Sequence, residues 1–101
     1  MKTIVQFSFK YATLDQLAGK CVVDCRVMTN PYKKHQSEEY LKNQVRKAPQ
    51  FMQVVVEAVE ALRNHDEVYV GCHYGKHRSG AVAEEVARLT GATITKAGSN
   101  A

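Results

Sequence analysis

The chain has 101 residues, 45% of them apolar, with a formal net charge of +4 and a sequence pI of about 9.1. That length suffices for one domain with a modest core and excludes a two-lobed enzyme. No apolar run approaches the roughly 18–20 residues of a membrane span, and Met1–Gln6 reads as a strand rather than a signal peptide, so a cytoplasmic protein without a membrane partner is expected; its mild basicity suits an anionic partner.

Val5, Phe7 and Phe9 alternate with Gln6 and Ser8, so Ile4–Phe9 is expected as a strand with an apolar and a polar face. Thr13–Leu17 is expected as a short turn stopped by Gly19. Cys21–Val27 is a nearly continuous apolar run that suits a buried central strand. Strand periodicity then puts Asp24 and Arg26 on one face. Asn30-Pro31-Tyr32 breaks the chain. Ser37 is placed to cap a helix with Glu38 and Glu39 in its first turn, and Lys42 and Arg46 share one face of it. Pro49 interrupts. Phe51, Val55, Ala58, Val59 and Leu62 recur at helical spacing up to Asn64 and His65. Asp66–Cys72 is expected as a third strand. Val82, Val86 and Leu89 form the stripe of a helix over Ala81–Leu89 that stops at Gly91. Ala92–Thr95 reads as a last strand, and Lys96–Ala101 as a tail. The alternation predicts a single small α/β domain over residues 1–101, with a mostly parallel sheet of about four strands and flanking helices.

Cys21, Cys25 and Cys72 are an odd number. On one strand, Cys21 and Cys25 would stand roughly 13 Å apart at ~3.3 Å per residue, beyond the about 7 Å reach of a disulfide. No CxxC or HxxxH spacing supports a metal site, and no cofactor is expected.

The chemistry concentrates in Gly71–Gly80, between the third strand and the helix after it. Ligands of open parallel sheets bind beyond the carboxyl ends of the strands. Backbone N–H groups and the start of a helix there favour an anion, above all a phosphate. Gly75 relaxes the backbone, Arg78 is suited to grip two oxygens, and Ser79 to cap or donate. The spacing is not that of a Walker A loop: three residues, not four, separate Gly71 and Gly75, and His77 follows Lys76.

Cys72-x-x-Gly75-x-x-Arg78-Ser79-Gly80 resembles the signature of cysteine-dependent phosphatases. That resemblance implies Cys72 as nucleophile and Asp24 as the acid available near the loop. Val22–Arg26 with the cysteine loop is also similar to rhodanese-like sulfurtransferases. A buried structural Cys72, an exposed Arg78 and a merely packing His77 are the plain alternatives. His35 and His65 read as solvated loop residues. Lys33, Lys34, Lys42, Arg46 and Lys47 are read either as a solvated face or as contacts to an RNA backbone.

A wider resemblance covers most of the chain. Gln6–Tyr11, Val22–Arg26, Asn30-Pro31-Tyr32 and the loop from Gly71-Cys72 through Gly75, His77, Arg78 and Ser79 resemble, in order and spacing, the C-terminal domain of the RapZ (RNase adapter) family. That implies a stand-alone regulatory module, not necessarily an enzyme, that binds a sugar phosphate, RNA or both. Asp24, Asn30, Tyr32, Cys72, His73, Tyr74, Gly75, Lys76, His77, Arg78 and Ser79 would hold the anionic ligand. Lys10, Lys33, Lys34, Lys42 and Arg46 would face RNA, and the family's oligomeric members make a homodimer a natural assembly. The chain departs from the family in having His73-Tyr74 where Thr-Gly is usual, and in keeping only Lys96 of the basic tail.

Overall fold

In the computed structural model, which describes residues 1–97, the apolar segments form four strands and four helices. The strands are β1 (Thr3–Ser8), β2 (Val22–Asp24), β3 (Glu67–Cys72) and β4 (Thr93–Lys96). The helices are α1 (Leu14–Leu17), α2 (Glu38–Arg46), α3 (Phe51–Asn64) and α4 (His77–Thr90). A 3-10 turn, Cys25–Val27, follows β2. The strands pair in parallel in the order β2-β3-β1-β4. This is the expected α/β layer fold.

Ile4 lies opposite Val68, and Val23 opposite Val70. With Cys72 they form one sheet face, against which α3 and α4 pack. Val55, Ala58, Ala81 and Val82 are fully buried there, and a buried valine contributes roughly 1.5–3 kcal/mol. The expected caps are in place. Ser37 Oγ accepts Tyr40 N at 3.1 Å, and Gly91, with φ +77°, ends α4 by donating its N–H to Ala87 O at 2.8 Å.

The opposite sheet face is thinner. Phe7 meets Phe9 edge-on at 4.7 Å and Tyr69 at 6.1 Å, and the chain around Ala12, Gln16 and Leu17 lies over this layer. Gly71 has its reason here: a Cβ would stand 2.3 Å from the Phe7 ring.

Several boundaries differ from the periodicity reading. Gln6 and Ser8 are buried, not solvated, because α4 and the loop before it cover their face of β1. Cys21–Val27 is not a central strand. β2 is a three-residue edge strand, and the chain turns at Cys25 because the Asp24 carboxylate accepts Arg26 N at 2.8 Å. Cys21 and Cys25 therefore do not share a strand, and all three cysteines are free thiols. The last helix begins at His77 rather than Ala81, since Lys76 O already accepts Gly80 N at 3.0 Å. Leu89 is half exposed and leaves the apolar stripe. Lys96 belongs to β4 rather than a tail; the rest of the expected tail from Gly98 lies outside the described residues.

Candidate functional site

Everything distinctive gathers at the carboxyl ends of β1, β2 and β3. The loop from His73 to Lys76 leaves β3 and doubles back over β1. Gly75 makes that possible. Its φ is +74°, and a Cβ would press to 2.9 Å on the backbone of Phe7 and Ser8, so both conformation and space call for glycine.

Two buried polar side chains of β1 hold the loop. Gln6 Nε2 donates to Gly75 O at 2.7 Å and to Lys76 O at 3.4 Å. Ser8 Oγ donates to His73 O and accepts Lys10 N. With the carbonyls drawn toward β1, the N–H groups of Tyr74 to Arg78 find no protein acceptor among the described residues. Lys76, the N-cap of α4, makes no side-chain cap bond. Aligned amides at an open helix start attract an anion.

Arg78 lies in the first turn of α4 and is only 8% exposed. Nη1 donates to Met28 O at 3.0 Å and weakly to Arg26 O at 3.5 Å. No carboxylate among the described residues bonds to it: Asp24 is near enough to feel its charge but is forked onto Arg26. Its hydrogen-bonded partners are carbonyls, so its charge is only partly compensated.

Cys72 is nearly fully buried. Its sulfur lies 3.4 Å from Ser79 N, which donates to it, and 3.4 Å from the Ser79 hydroxyl, to which the thiol donates. Burial pushes the neighbouring Cys25 thiol far above the ordinary range, with Cys72 adding to the shift. Asp24 is half exposed and forked onto Arg26, at 2.9 Å from Nε and 2.8 Å from Nη2. Those hydrogen bonds hold its carboxyl below the usual range against the opposing effect of burial, so it is ionised at neutral pH and poorly suited to give up a proton. The Arg26 guanidinium lies 3.7 Å over the Phe9 ring.

A cavity of about 570 Å³ opens over the loop, lined by Asn30, Tyr32, Tyr74, Lys76 and His77. A narrow cleft sharing four of these residues continues down to Cys72 and Arg78. Asn30 Oδ1 accepts Tyr32 N at 3.1 Å and so sets the turn that presents Tyr32. Burial lowers the pKa of His77, and Lys76, Lys42 and Arg78 add to that against Glu38. Another cavity, about 480 Å³, lies at the opposite strand ends between Thr3, Cys21 and Glu67, without a helix start or a buried cation.

Lys10 sits beside the loop, its ammonium 5.0 Å from the Tyr74 ring centre and 5.4 Å from that of Tyr11. His73 is exposed and meets Tyr74 edge-on at 4.5 Å. Lys33 and Lys34 are exposed. Lys42 and Arg46 are drawn away from the cavity onto Glu84 of α4, each at 2.6 Å. Asn30, Tyr32, Cys72, Tyr74, Lys76, His77 and Arg78 thus line one cavity and its cleft, Asp24 is bonded to Arg26, and Lys42 with Arg46 joins α2 to α4. Gln6 and Ser8 are loop-positioning residues that a sequence reading passes over. Their signal was two polar side chains in a strand that proves to be interior.

Among the described residues no helix is long and apolar enough to cross a membrane. No protein-family model matches the chain. It is 31% identical over 102 aligned positions, covering 84% of its length, to a protein of Leifsonia xyli subsp. xyli named a nucleotide-binding protein. The chain spans about a third (34%) of the length of that curated relative.

Proposed function

We propose that this chain is a phosphate-binding module of the RapZ C-terminal type, which takes the phosphate of a small phosphorylated metabolite at the start of α4. The observation that carries the reading is Arg78, a buried cation bonded among the described residues only to carbonyls, behind five amides that find no acceptor among those residues. Lys76 and His77 line the approach, and the relative named as nucleotide-binding is consistent with a phosphorylated ligand. In this reading the protein is cytoplasmic and regulatory. Its ligand carries a sugar-phosphate group, as a free metabolite or within RNA, with Lys10, Lys33 and Lys34 available to an RNA backbone. Two such modules pairing as a homodimer would extend that basic surface.

Calorimetric titration with inorganic phosphate and sugar phosphates, and gel shifts with structured RNA across a salt series, test the proposal. Saturable binding that is lost in Arg78→Met supports it. A folded protein that binds none of these ligands overturns it.

A second reading, a cysteine-dependent phosphatase or sulfurtransferase, is favoured by one contact: Ser79 offers its N–H to the Cys72 sulfur, which would stabilise a thiolate. Against it stands the Asp24–Arg26 fork, which leaves the leaving group without a proton donor. Hydrolysis of an aryl phosphate that disappears in Cys72→Ser would establish phosphatase chemistry. The same rate in both proteins would remove it, and thiosulfate:cyanide transfer tests the sulfurtransferase.

A further inference from the structure

We propose that the cavity above the anion loop takes an aromatic ring, so that the ligand is a nucleoside monophosphate whose base stacks on Tyr74 and Tyr32 while its phosphate sits over Lys76–Arg78. The inference rests on the phosphate-binding reading of the loop and names the class of molecule that the same site takes.

Size is the first argument. The cavity of about 570 Å³ is in the range of sites that hold an organic molecule rather than a bare anion. The cleft beneath it, down to Cys72 and Arg78, has about 10 Å³ of free space. The phosphate is therefore held at the loop surface, and the rest of the ligand fills the space above.

The chemistry of the walls is the second. Lys76, His77 and Asn30 line the cavity together with two aromatic side chains, Tyr32 and Tyr74, 64% and 49% exposed. Exposed tyrosines that face a cavity are stacking surfaces with few rotatable bonds to immobilise. Tyr74 is also held in place: the Lys10 ammonium lies 5.0 Å from its ring centre and His73 meets it edge-on. Tyr32 is set by its N–H bond to Asn30 Oδ1. With Oδ1 accepting there, the Asn30 side-chain NH₂ has no acceptor among the described residues and faces a base or a phosphate as a donor.

What the walls lack is the third. No Asp or Glu lines the cavity or the cleft, and Asp24 is committed to Arg26. The ammonium of an amino sugar wants a carboxylate, and here it would meet the Lys76 ammonium. A nucleoside monophosphate brings no such cation.

The test is titration of the intact chain with inorganic phosphate, ribose 5-phosphate, a hexosamine 6-phosphate and the four nucleoside monophosphates, read by calorimetry and by tyrosine fluorescence, since the chain has no tryptophan. At least one nucleotide should bind roughly tenfold tighter than ribose 5-phosphate, the scale of one base stacked on an aromatic ring. That preference should shrink toward unity in both Tyr74→Ala and Tyr32→Ala, whose side chains are exposed enough to be removed without opening the core. If ribose 5-phosphate or the hexosamine phosphate binds as tightly as every nucleotide, or the preference survives both substitutions, the inference is overturned while the phosphate reading stands. If nothing phosphorylated binds, both fall together.

Discussion

Replacing Gln6 with leucine tests whether β1 sets the anion loop from below. The side chain is 6% exposed, and its Nε2 bonds Gly75 O at 2.7 Å and Lys76 O at 3.4 Å. A Cβ placed on Gly80 would stand 3.4 Å from the same nitrogen, so there is little room for a replacement water. Leucine removes one good hydrogen bond, about 1 kcal/mol, and leaves the Gly75 carbonyl short of a donor, another 1–3 kcal/mol or so. Its more apolar side chain offsets roughly 1 kcal/mol. The net loss is about 2 kcal/mol, which in a domain of this size lowers Tm by roughly 8–16 °C. Circular dichroism melts measure that loss. Phosphate affinity should fall about fivefold, a cost of about 1 kcal/mol, because the loop amides are no longer pre-aimed. Gln6→Glu sharpens the test. Its carboxylate faces two carbonyl oxygens, so burial and repulsion raise its folded pKa above the unfolded value. Relative to wild type at the same pH, the variant should be least stable near neutrality and recover as protonation restores a donor at lower pH. A Tm within 2–3 °C of wild type for Gln6→Leu, with unchanged phosphate affinity, would refute the reasoning.

Gly75→Ala, with its positive φ and 2.9 Å approach to β1, should cost at least about 2 kcal/mol in urea unfolding and abolish phosphate binding; a wild-type midpoint would contradict the loop geometry. His77 is held neutral by burial and nearby cations. The unfolded chain therefore binds more protons below pH 6.5, and the fold loses its contribution as pH falls through that value toward the folded pKa. Bound phosphate should raise the His77 pKa, so binding should take up a proton and tighten between pH 7 and 5.5; an NMR titration of the imidazole that phosphate leaves unmoved would deny it a place beside the anion. Glu84→Gln breaks both contacts that join α2 to α4. Because these groups are partly exposed, a loss of only about 1 kcal/mol is expected, and a double-mutant cycle with Lys42→Met should show coupling of at least about 0.5 kcal/mol.

Much of this architecture is written locally. The helical spacing from Phe51 to Leu62, the Ser37 cap, the Gly91 stop and the strand-to-helix loop around Cys72 depend on neighbours within a turn or two, and all are where the sequence places them. The loop's composition alone points to an anion, because glycine, basic residues and a helix start act within ten residues of one another. Other features are decided only by the fold. Gln6 and Ser8 read as a polar strand face until α4 and the loop after β3 fold over that face, and then become the fastenings of the loop. Asp24 and Arg26 read as neighbours on a strand until the carboxylate turns the chain and spends its charge on that arginine. Arg78 reads as a fork for an anion or as an exposed helix residue, yet the fold buries it and bonds it to Met28 O, fifty positions away. Gly71 and Gly75 are required by the ring and backbone of Phe7, more than sixty positions earlier in the chain. Burial and partnership are properties of two distant segments at once, and no local pattern encodes them.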